Sequence, residues 1–359
     1  MTRSADILIF GAGAFATRIA CDIAAAAEKP VSVVLAGRNA DRLGWLRTAA
    51  NARAIVFGRP ACFMSVQADL FRPEAASETI EACRPRLIVQ AASTQTSAVI
   101  ATAGNAWSRL VAEGGLSATA LFQAYLTVRV ARAVPPGCRF INCCFPDVVN
   151  SLLSALGLPI ACGTGNVSIL ASAFAGASQM RDPGALQLLA HYQNLADWRQ
   201  PVAQRHGRPP RVWEYGTEVG DVFARFASVR LTVAPAIEVS GAAGVPLMLA
   251  MVGGDAWRGH APGPNGLPGG YPVAWDGAEL ALDLPSGITQ AEAIGWNASF
   301  EAANGLVIRP DGRVEYTGAL QAALRRASPV LARGFAVSEL DDAYAAMSGL
   351  RDRLESSSA

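Results

Sequence analysis

The chain has 359 residues, 51% of them apolar and only 16% charged, with a formal net charge of +1. That length supports two well-filled cores. The near-neutral charge argues against nucleic acid or an acidic membrane surface as a partner, and no apolar run approaches the roughly 20 residues of a membrane span. No signal-peptide pattern precedes the first strand, and the seven cysteines form neither a CxxC pair nor a zinc pattern, so a reducing cytoplasm is the expected setting.

In chain order, residues 7–16 read Ile-Leu-Ile-Phe-Gly-Ala-Gly-Ala-Phe-Ala, an apolar run that breaks into G-x-G-x-x-A. The pattern predicts a buried strand over 6–10, a tight turn, and a helix over 13–27 whose N-terminus faces a phosphate. Gly11 permits the turn, Gly13 lets backbone approach a pyrophosphate, and Ala16 keeps helix and strand close. Ala14 and Phe15 lie at the helix N-terminus, whose unpaired N–H groups and positive dipole end suit an anion. The bland alternative is an incidental glycine turn.

A second strand, 31–36, runs into Gly37-Arg38-Asn39, with no carboxylate until Asp41. A carboxylate at this strand end would accept from a ribose 2′-OH; an arginine pairs instead with a 2′-phosphate, so the cofactor expected is NADP, with Arg42 assisting. Alternatively, Arg38 is a solvated loop residue and Asn39 only the N-cap of a helix over 39–50.

A weaker strand at 53–57 or 62–66 follows, then a helix over 74–83, a strand over 86–92, a helix over 116–133 and a strand over 139–144. A helix over 151–156 follows Pro146-Asp147, and a strand-like piece spans 158–162. This alternation predicts an α/β fold: a doubly wound parallel sheet over 1–165 and a second, α+β domain over 166–359. Ligands of such sheets lie outside the carboxyl ends of the strands. Ala92, Ser93, Thr94 and Gln95 are therefore expected near the dinucleotide's ribose, and 142–147, with Asp147 as a catalytic candidate, near the nicotinamide. An ordinary polar loop is the alternative for 91–95.

The second domain reads as helical over 166–199 with a break at 182–184, a loop over 200–217, strands at 229–233, 247–252, 279–284, 306–308 and 314–316, and terminal helices over 318–331 and 338–355. The stretch 259–272 is too rich in Gly and Pro for regular structure, and the last Ser-Ser-Ser-Ala is expected to fray.

Lys29 is the only lysine, which argues against Schiff-base chemistry and against a Tyr-x-x-x-Lys pair, since Tyr125 is followed at that spacing by Arg129. Three histidines exist. His191 is the expected acid/base, on a helical face with Leu188, Tyr192 and Leu195; a satisfied core histidine is the alternative. His260 opens the Gly/Pro stretch and, with Tyr271, is expected to close over the site as a lid, or else to lie on the surface. His206 sits among arginines and is expected to be solvated. Cys143 or Cys144 offers a rival chemistry through a thiohemiacetal, although the pair also fits as small buried hydrophobes. Arg181, Arg199 and Arg258 are candidates for holding a substrate carboxylate, and Trp198, Trp213, Trp257, Trp275 and Trp296 for lining a pocket or filling a core.

The G-x-G-x-x-A turn and the Gly37-Arg38-Asn39 layout resemble the cofactor domains of saccharopine dehydrogenase-like oxidoreductases, which pair a Rossmann domain with an α+β domain. The run from Gly115 to Phe140-Ile-Asn-Cys-Cys-Phe-Pro-Asp147 also resembles, more faintly, the lactate/malate dehydrogenase pattern in which a strand ends in Asn-Pro-x-Asp beside the nicotinamide. Here Phe145 stands in place of that asparagine, and no His-Gly-Asp segment occurs. The combined reading is an NADP-dependent oxidoreductase moving hydride to or from a small carbonyl or imine, amino- or oxo-acid-like. Its rivals are a cysteine-dependent reductase and a non-catalytic NADP-binding sensor or scaffold. Low charge on a largely apolar chain further predicts a homo-oligomer, most simply a dimer.

Overall fold

Six short apolar segments pair side by side as one parallel sheet: β1 (Ile7–Phe10), β2 (Val31–Gly37), β3 (Ala61–Gln67), β4 (Leu87–Gln90), β5 (Arg139–Asn142) and β6 (Cys162–Gly163). Their order is β3-β2-β1-β4-β5-β6. The structure, a computed structural model, describes residues 4–95, 104–182, 184–232 and 236–356.

The central strands are buried on both faces, as parallel sheets require. Leu8, Phe10, Ile88 and Phe140 point into one layer, with α3 (Ala75–Cys83), α5 (Ala120–Ala133) and α6 (Pro146–Ala155). Ile7, Ile9, Leu87, Val89 and Ile141 point into the other, with α1 (Ala14–Ala26) and α2 (Ala40–Val56). Burying each such aliphatic chain is worth about 1.5–3 kcal/mol. α4 (Ala106–Gly114), capped by Asn105 accepting from Ser108 N–H at 2.7 Å, had no counterpart among the sequence expectations.

In this half one pair of alternatives is resolved and one helix start is corrected. Of the alternatives for the third strand, 61–67 pairs with β2, while 53–57 continues α2, leaving Ile55 and Val56 on its outer surface at 81% and 79% exposure. The helix expected at 151–156 starts at Pro146, whose missing N–H costs nothing in a first turn.

Beyond β6, α7 (Val167–Ala177) leads to a sheet of β7 (Leu186–Leu189), β8 (Arg211–Glu214) and β9 (Thr217–Glu218), with the short α8 (Leu195–Trp198) between β7 and β8. Residues 186–189 are thus a strand within the stretch expected to be helical, and β8 lies within the expected loop. After α9 (Val222–Arg225), residues 229–232 form no strand, and Val233 lies outside the described residues, as do Pro183 of the expected break and 357–359 of the C-terminal serine run.

α10 (Ile237–Ala243) and α11 (Val245–Gly253) pack against α1. The apolar run 247–252, expected as a strand, is α11: Pro246 opens it, Gly254 closes it at φ 76°, and its residues are buried nearly all round. A short apolar run does not by itself separate a buried strand from a buried helix.

The Gly/Pro stretch is also more regular than expected. β10 (Trp257–Pro262) and β11 (Gly270–Trp275) form a hairpin extended by β12 (Leu280–Leu282). Then follow α12 (Gln290–Ala303), β13 (Leu306–Ile308), β14 (Arg313–Tyr316), α13 (Gly318–Ala327), β15 (Phe335–Ala336) and α14 (Leu340–Ser356). On α14, Tyr344 stacks on Tyr125 of α5 at 3.8 Å between ring centroids. Among the described residues no helix is long and apolar enough to cross a membrane.

Ile88→Ala in the sheet interior should cost about 2–5 kcal/mol in denaturant unfolding, whereas Val330→Ala, 73% exposed in the turn after α13, should change stability by less than about 0.5 kcal/mol. A comparable loss in both would contradict the burial of Ile88 between the two helical layers.

Candidate functional site at the carboxyl edge of the sheet

Gly11 leaves β1 at φ 127°, and a Cβ built there would lie 2.9 Å from the Ala91 carbonyl carbon at the end of β4. Only glycine meets both conditions. Gly13 then caps α1 with no side-chain hydrogen bond, and among the described residues a Cβ added to it would meet nothing within 4 Å. Gly13 and Ala14 are exposed, Phe15 is half-buried, and Ala16 is buried against the sheet. Among the described residues nothing therefore covers the first turn, whose unpaired N–H groups suit an anion.

At the end of β2, Asn39 caps α2 by accepting from Arg42 N–H at 2.9 Å. Arg42 Nε donates to the Ala12 carbonyl, tying this loop to the glycine turn, and Gly37 packs beside Ala12. The Arg38 guanidinium lies 5.0 Å above the Phe71 ring, and Gln67 Nε2 donates to the Arg38 carbonyl. Among the described residues, neither Arg38 nor Arg42 is paired with a carboxylate. Phe71 was not among the sequence candidates; an exposed aromatic just past β3 was its only signal.

At the end of β4, Ala92, Ser93, Thr94 and Gln95 are half-buried. The Thr94 hydroxyl and N–H both donate to the Phe122 carbonyl, and Ser93 Oγ donates to the Gln95 carbonyl. Thr94 is thus committed to shaping the loop. Cys143 and Cys144 lie between β5 and α6, and burial pushes the Cys143 thiol up to about 12 and that of Cys144 higher still. Cys144 Sγ donates to the Ala92 carbonyl at 3.4 Å.

Phe145 follows in the left-handed region at φ 50°, and Asn166, after β6, at φ 45° and ψ −100°. Two strained non-glycine residues at adjacent strand ends mark this edge as constrained by something other than helix geometry. Between them sits Asp147, 1% exposed, whose carboxylate accepts from Asn166 Nδ2 and from Tyr192 N–H at 2.9 Å. Burial lifts its pKa to about 6, with the Asn166 contact opposing.

The helical face expected for His191 does not form. The residue follows β7, and its Nδ1 accepts from Gln193 N–H at 3.4 Å to start a 3-10 turn. The imidazole is fully buried, stacked on Phe300 at 4.9 Å rather than open to the edge, and burial lowers its pKa to about 3. Its Nε2 lies 3.4 Å from Glu301 Oε1 without hydrogen-bond alignment. Glu301 instead accepts from Ser117 Oγ at 2.9 Å, and Ser117 shares a hydrogen bond with the Tyr192 hydroxyl at 3.0 Å. The Tyr192 ring packs edge-on against Phe145, 4.7 Å away.

His260 lies in β10 rather than in an irregular lid. Its Nε2 accepts from Leu188 N–H at 3.1 Å, and burial lowers its pKa to about 3. Tyr271, its expected partner in the lid, is fully buried. Trp198, Trp213 and Trp275 are core residues, and Arg258 faces Asp283 at 3.8 Å. The structure thus brings the glycine turn, the Arg38 loop and the β4 loop to one edge, with Asp147 and Asn166 beside them, and leaves both histidines enclosed elsewhere.

No family model and no curated protein matches the chain. Solved structures do share its fold. The lactate dehydrogenase of Cryptosporidium parvum, determined with lactic acid and nicotinamide adenine dinucleotide, aligns at 15% identity and TM-score 0.51 over 82% of this chain and 94% of that one. The minor L-lactate dehydrogenase of Enterococcus mundtii aligns at 13% identity and TM-score 0.50, over 84% and 96% of the two chains. The malate dehydrogenase of Cryptosporidium parvum aligns at 12% and 0.51, over 83% and 96%. At such identities the likeness is one of fold: a Rossmann-type α/β sheet followed by small antiparallel sheets. The likeness to saccharopine dehydrogenase-like enzymes rests on the two sequence motifs alone.

Glu301 gives this region a pH signature. Burial lifts its pKa from 4.5 to about 7, so the folded chain binds a proton that the unfolded chain releases, and this contribution is lost as pH rises between those values. His191 and His260 titrate with the opposite slope, common to wild type and variant. Glu301→Gln should therefore gain stability relative to wild type from pH 4.5 to 7, by on the order of 3 kcal/mol, and level off above. Parallel stability curves from chemical denaturation across that window would contradict the burial of an ionisable Glu301.

Proposed function

We propose that the chain is an oxidoreductase that binds NADP along the carboxyl edge of its parallel sheet and exchanges hydride with a small oxo- or imino-acid-like substrate. The observation that carries this is the glycine turn: a conformationally obligatory Gly11, a Gly13 that no described residue obstructs and a first turn of α1 without a side-chain cap, at the point where strand order reverses between β1 and β4. In this reading the pyrophosphate rests on the N–H groups around Gly13, Ala14 and Phe15. Arg38, carried on Phe71, takes the 2′-phosphate with help from Arg42, while Gly37 and Asn39 shape that loop. Ala92, Ser93, Thr94 and Gln95 border the ribose nearer the nicotinamide. The nicotinamide itself would supply or accept the hydride.

Asp147 acts here as a positioning residue: its enclosed carboxylate holds Asn166, whose half-buried carboxamide borders the substrate end of the edge. The proton that accompanies hydride is carried by water. His191 is fully enclosed and His260 has its basic nitrogen engaged by Leu188, so we assign both to holding the fold rather than to proton transfer. The cysteine-dependent rival has less support, because burial keeps both thiols protonated near neutrality. Lactate and malate dehydrogenases among the fold relatives support an oxo- or hydroxy-acid substrate.

Fluorescence titration tests the reading. Gly13→Val should abolish binding of NADPH and NADH alike while leaving the melting temperature nearly unchanged, since its side chain enters open space. Arg38→Ala should weaken NADPH about tenfold or more and leave NADH unaffected, a charge-assisted phosphate contact being worth roughly 1.5–3 kcal/mol. Equal affinities for the two cofactors in the wild type would contradict the role of Arg38. Tight NADPH binding with no turnover on a panel of oxo acids and imines would favour a non-catalytic sensor.

We also propose a homo-oligomer. The outer face of α2 presents Trp45, Ile55 and Val56 at 70%, 81% and 79% exposure, an apolar face unusual for a lone chain. Light scattering at micromolar concentration should return at least twice the monomer mass; a monomer mass would contradict this.

A further inference from the structure

A second concave surface lies away from the edge just described, and shares no residue with it. A basin of about 520 Å³ opens between β14, the end of α13 and the turn before β15, lined by Arg313, Arg325, Arg333, Glu315, Gln321 and Pro329 among others. Two features fix its walls. Arg313 Nη2 donates to the Arg333 carbonyl at 2.7 Å, and Gly334 turns at φ 76° so close to β14 that a Cβ there would fall on the Val314 carbonyl oxygen.

The charge of the basin is unbalanced. Among the described residues its one lining carboxylate, Glu315, is engaged by Arg309, whose Nη2 lies 2.7 Å away, and sits 3.9 Å from Arg313 Nε. Among the described residues neither Arg325 nor Arg333 has a carboxylate partner, although the adjacent Arg326 pairs with Glu113. Arg325 and Arg333, without carboxylate partners, therefore line one basin together with Arg313, whose guanidinium is held beside Glu315 and the Arg333 carbonyl. Bringing like charges together costs free energy that a bound anion returns.

We propose that this basin binds a small phosphate ester through Arg313, Arg325 and Arg333. Guanidinium forks match phosphate oxygens in bidentate geometry. The volume falls within the roughly 300–1,000 Å³ usual for small-molecule sites and exceeds what a lone phosphate fills, leaving room for an organic body. Gln321 and the free acceptor capacity of Glu315 suit hydroxyl groups on that body. A basin bounded by a helix end and a turn favours a small molecule over an extended polyanion.

Calorimetric titration with inorganic pyrophosphate tests this. The Gly13→Val chain is used, so that the glycine turn does not compete and the outcome is independent of the dinucleotide reading. Saturable binding at one site per chain should persist at about 0.15 M NaCl, where exposed charges more than ~8 Å apart are largely screened. Adding Arg325→Ala and Arg333→Ala, both on exposed side chains, should weaken it about tenfold or more without moving the melting temperature. The proposal is overturned if the Gly13→Val chain shows no saturable binding, if binding disappears at that salt concentration, or if the added substitutions leave it unchanged.

Discussion

The constraint on which the carboxyl edge depends is the contact between the Gly11 backbone and the Ala91 carbonyl. Strand order reverses between β1 and β4, so the chains leaving these neighbouring strands diverge to opposite faces of the sheet and open a crevice. The turn after β1 has to clear Ala91 and yet direct α1 back along its own face. A positive φ with no side chain meets both demands, and the consequence is an uncapped helix N-terminus held open at the mouth of the crevice. Arg42, donating to Ala12, carries the same constraint to the next strand end and fixes where the Arg38 loop stands.

Two buried carboxylates connect this edge to the rest of the chain. Asp147, at the start of α6, accepts from Asn166 after β6 and from the backbone at Tyr192 after β7. Glu301, near the end of α12, accepts from Ser117 ahead of α5 and from Leu306 N–H at the start of β13. Each joins segments far apart in sequence. Removing one partner from such a buried set leaves a polar group unsatisfied, which costs more than the bond itself contributes. His191 belongs to this framework: its ring stacks on Phe300 and one nitrogen starts the turn that presents Tyr192.

Local signals made the first half of the chain legible. The run Ile-Leu-Ile-Phe before Gly11, the Asn39 cap and the apolar strands around 33–36 and 87–90 each name an element without help from elsewhere. The second half was less so because tertiary contacts decide it. Leu186, Leu188 and Leu189 pack as a strand only because β8 pairs with them, and 247–252 is helical because α1 and the parallel sheet enclose it on all sides. Some signals were present and unread: Thr289 and Glu292 form a capping box that announces α12, and Pro146 marks the first turn of α6. For the site, glycine and arginine positions were readable because backbone chemistry dictates them. The choice of the core alternative for His191 and the tautomer-fixing contact of His260 were not, since the first depends on stacking against Phe300 of α12 and the second on β10 lying beside β7.

The central claim is that this edge receives an NADP molecule in one orientation, and a crystal structure of the chain with NADPH tests it most directly. The account predicts density for the pyrophosphate against the backbone N–H groups of residues 12–15 and for the 2′-phosphate beside the Arg38 guanidinium, with the nicotinamide toward Asn166. A dinucleotide bound elsewhere on the chain, or seated here with its 2′-phosphate directed away from Arg38 and Arg42, would contradict it.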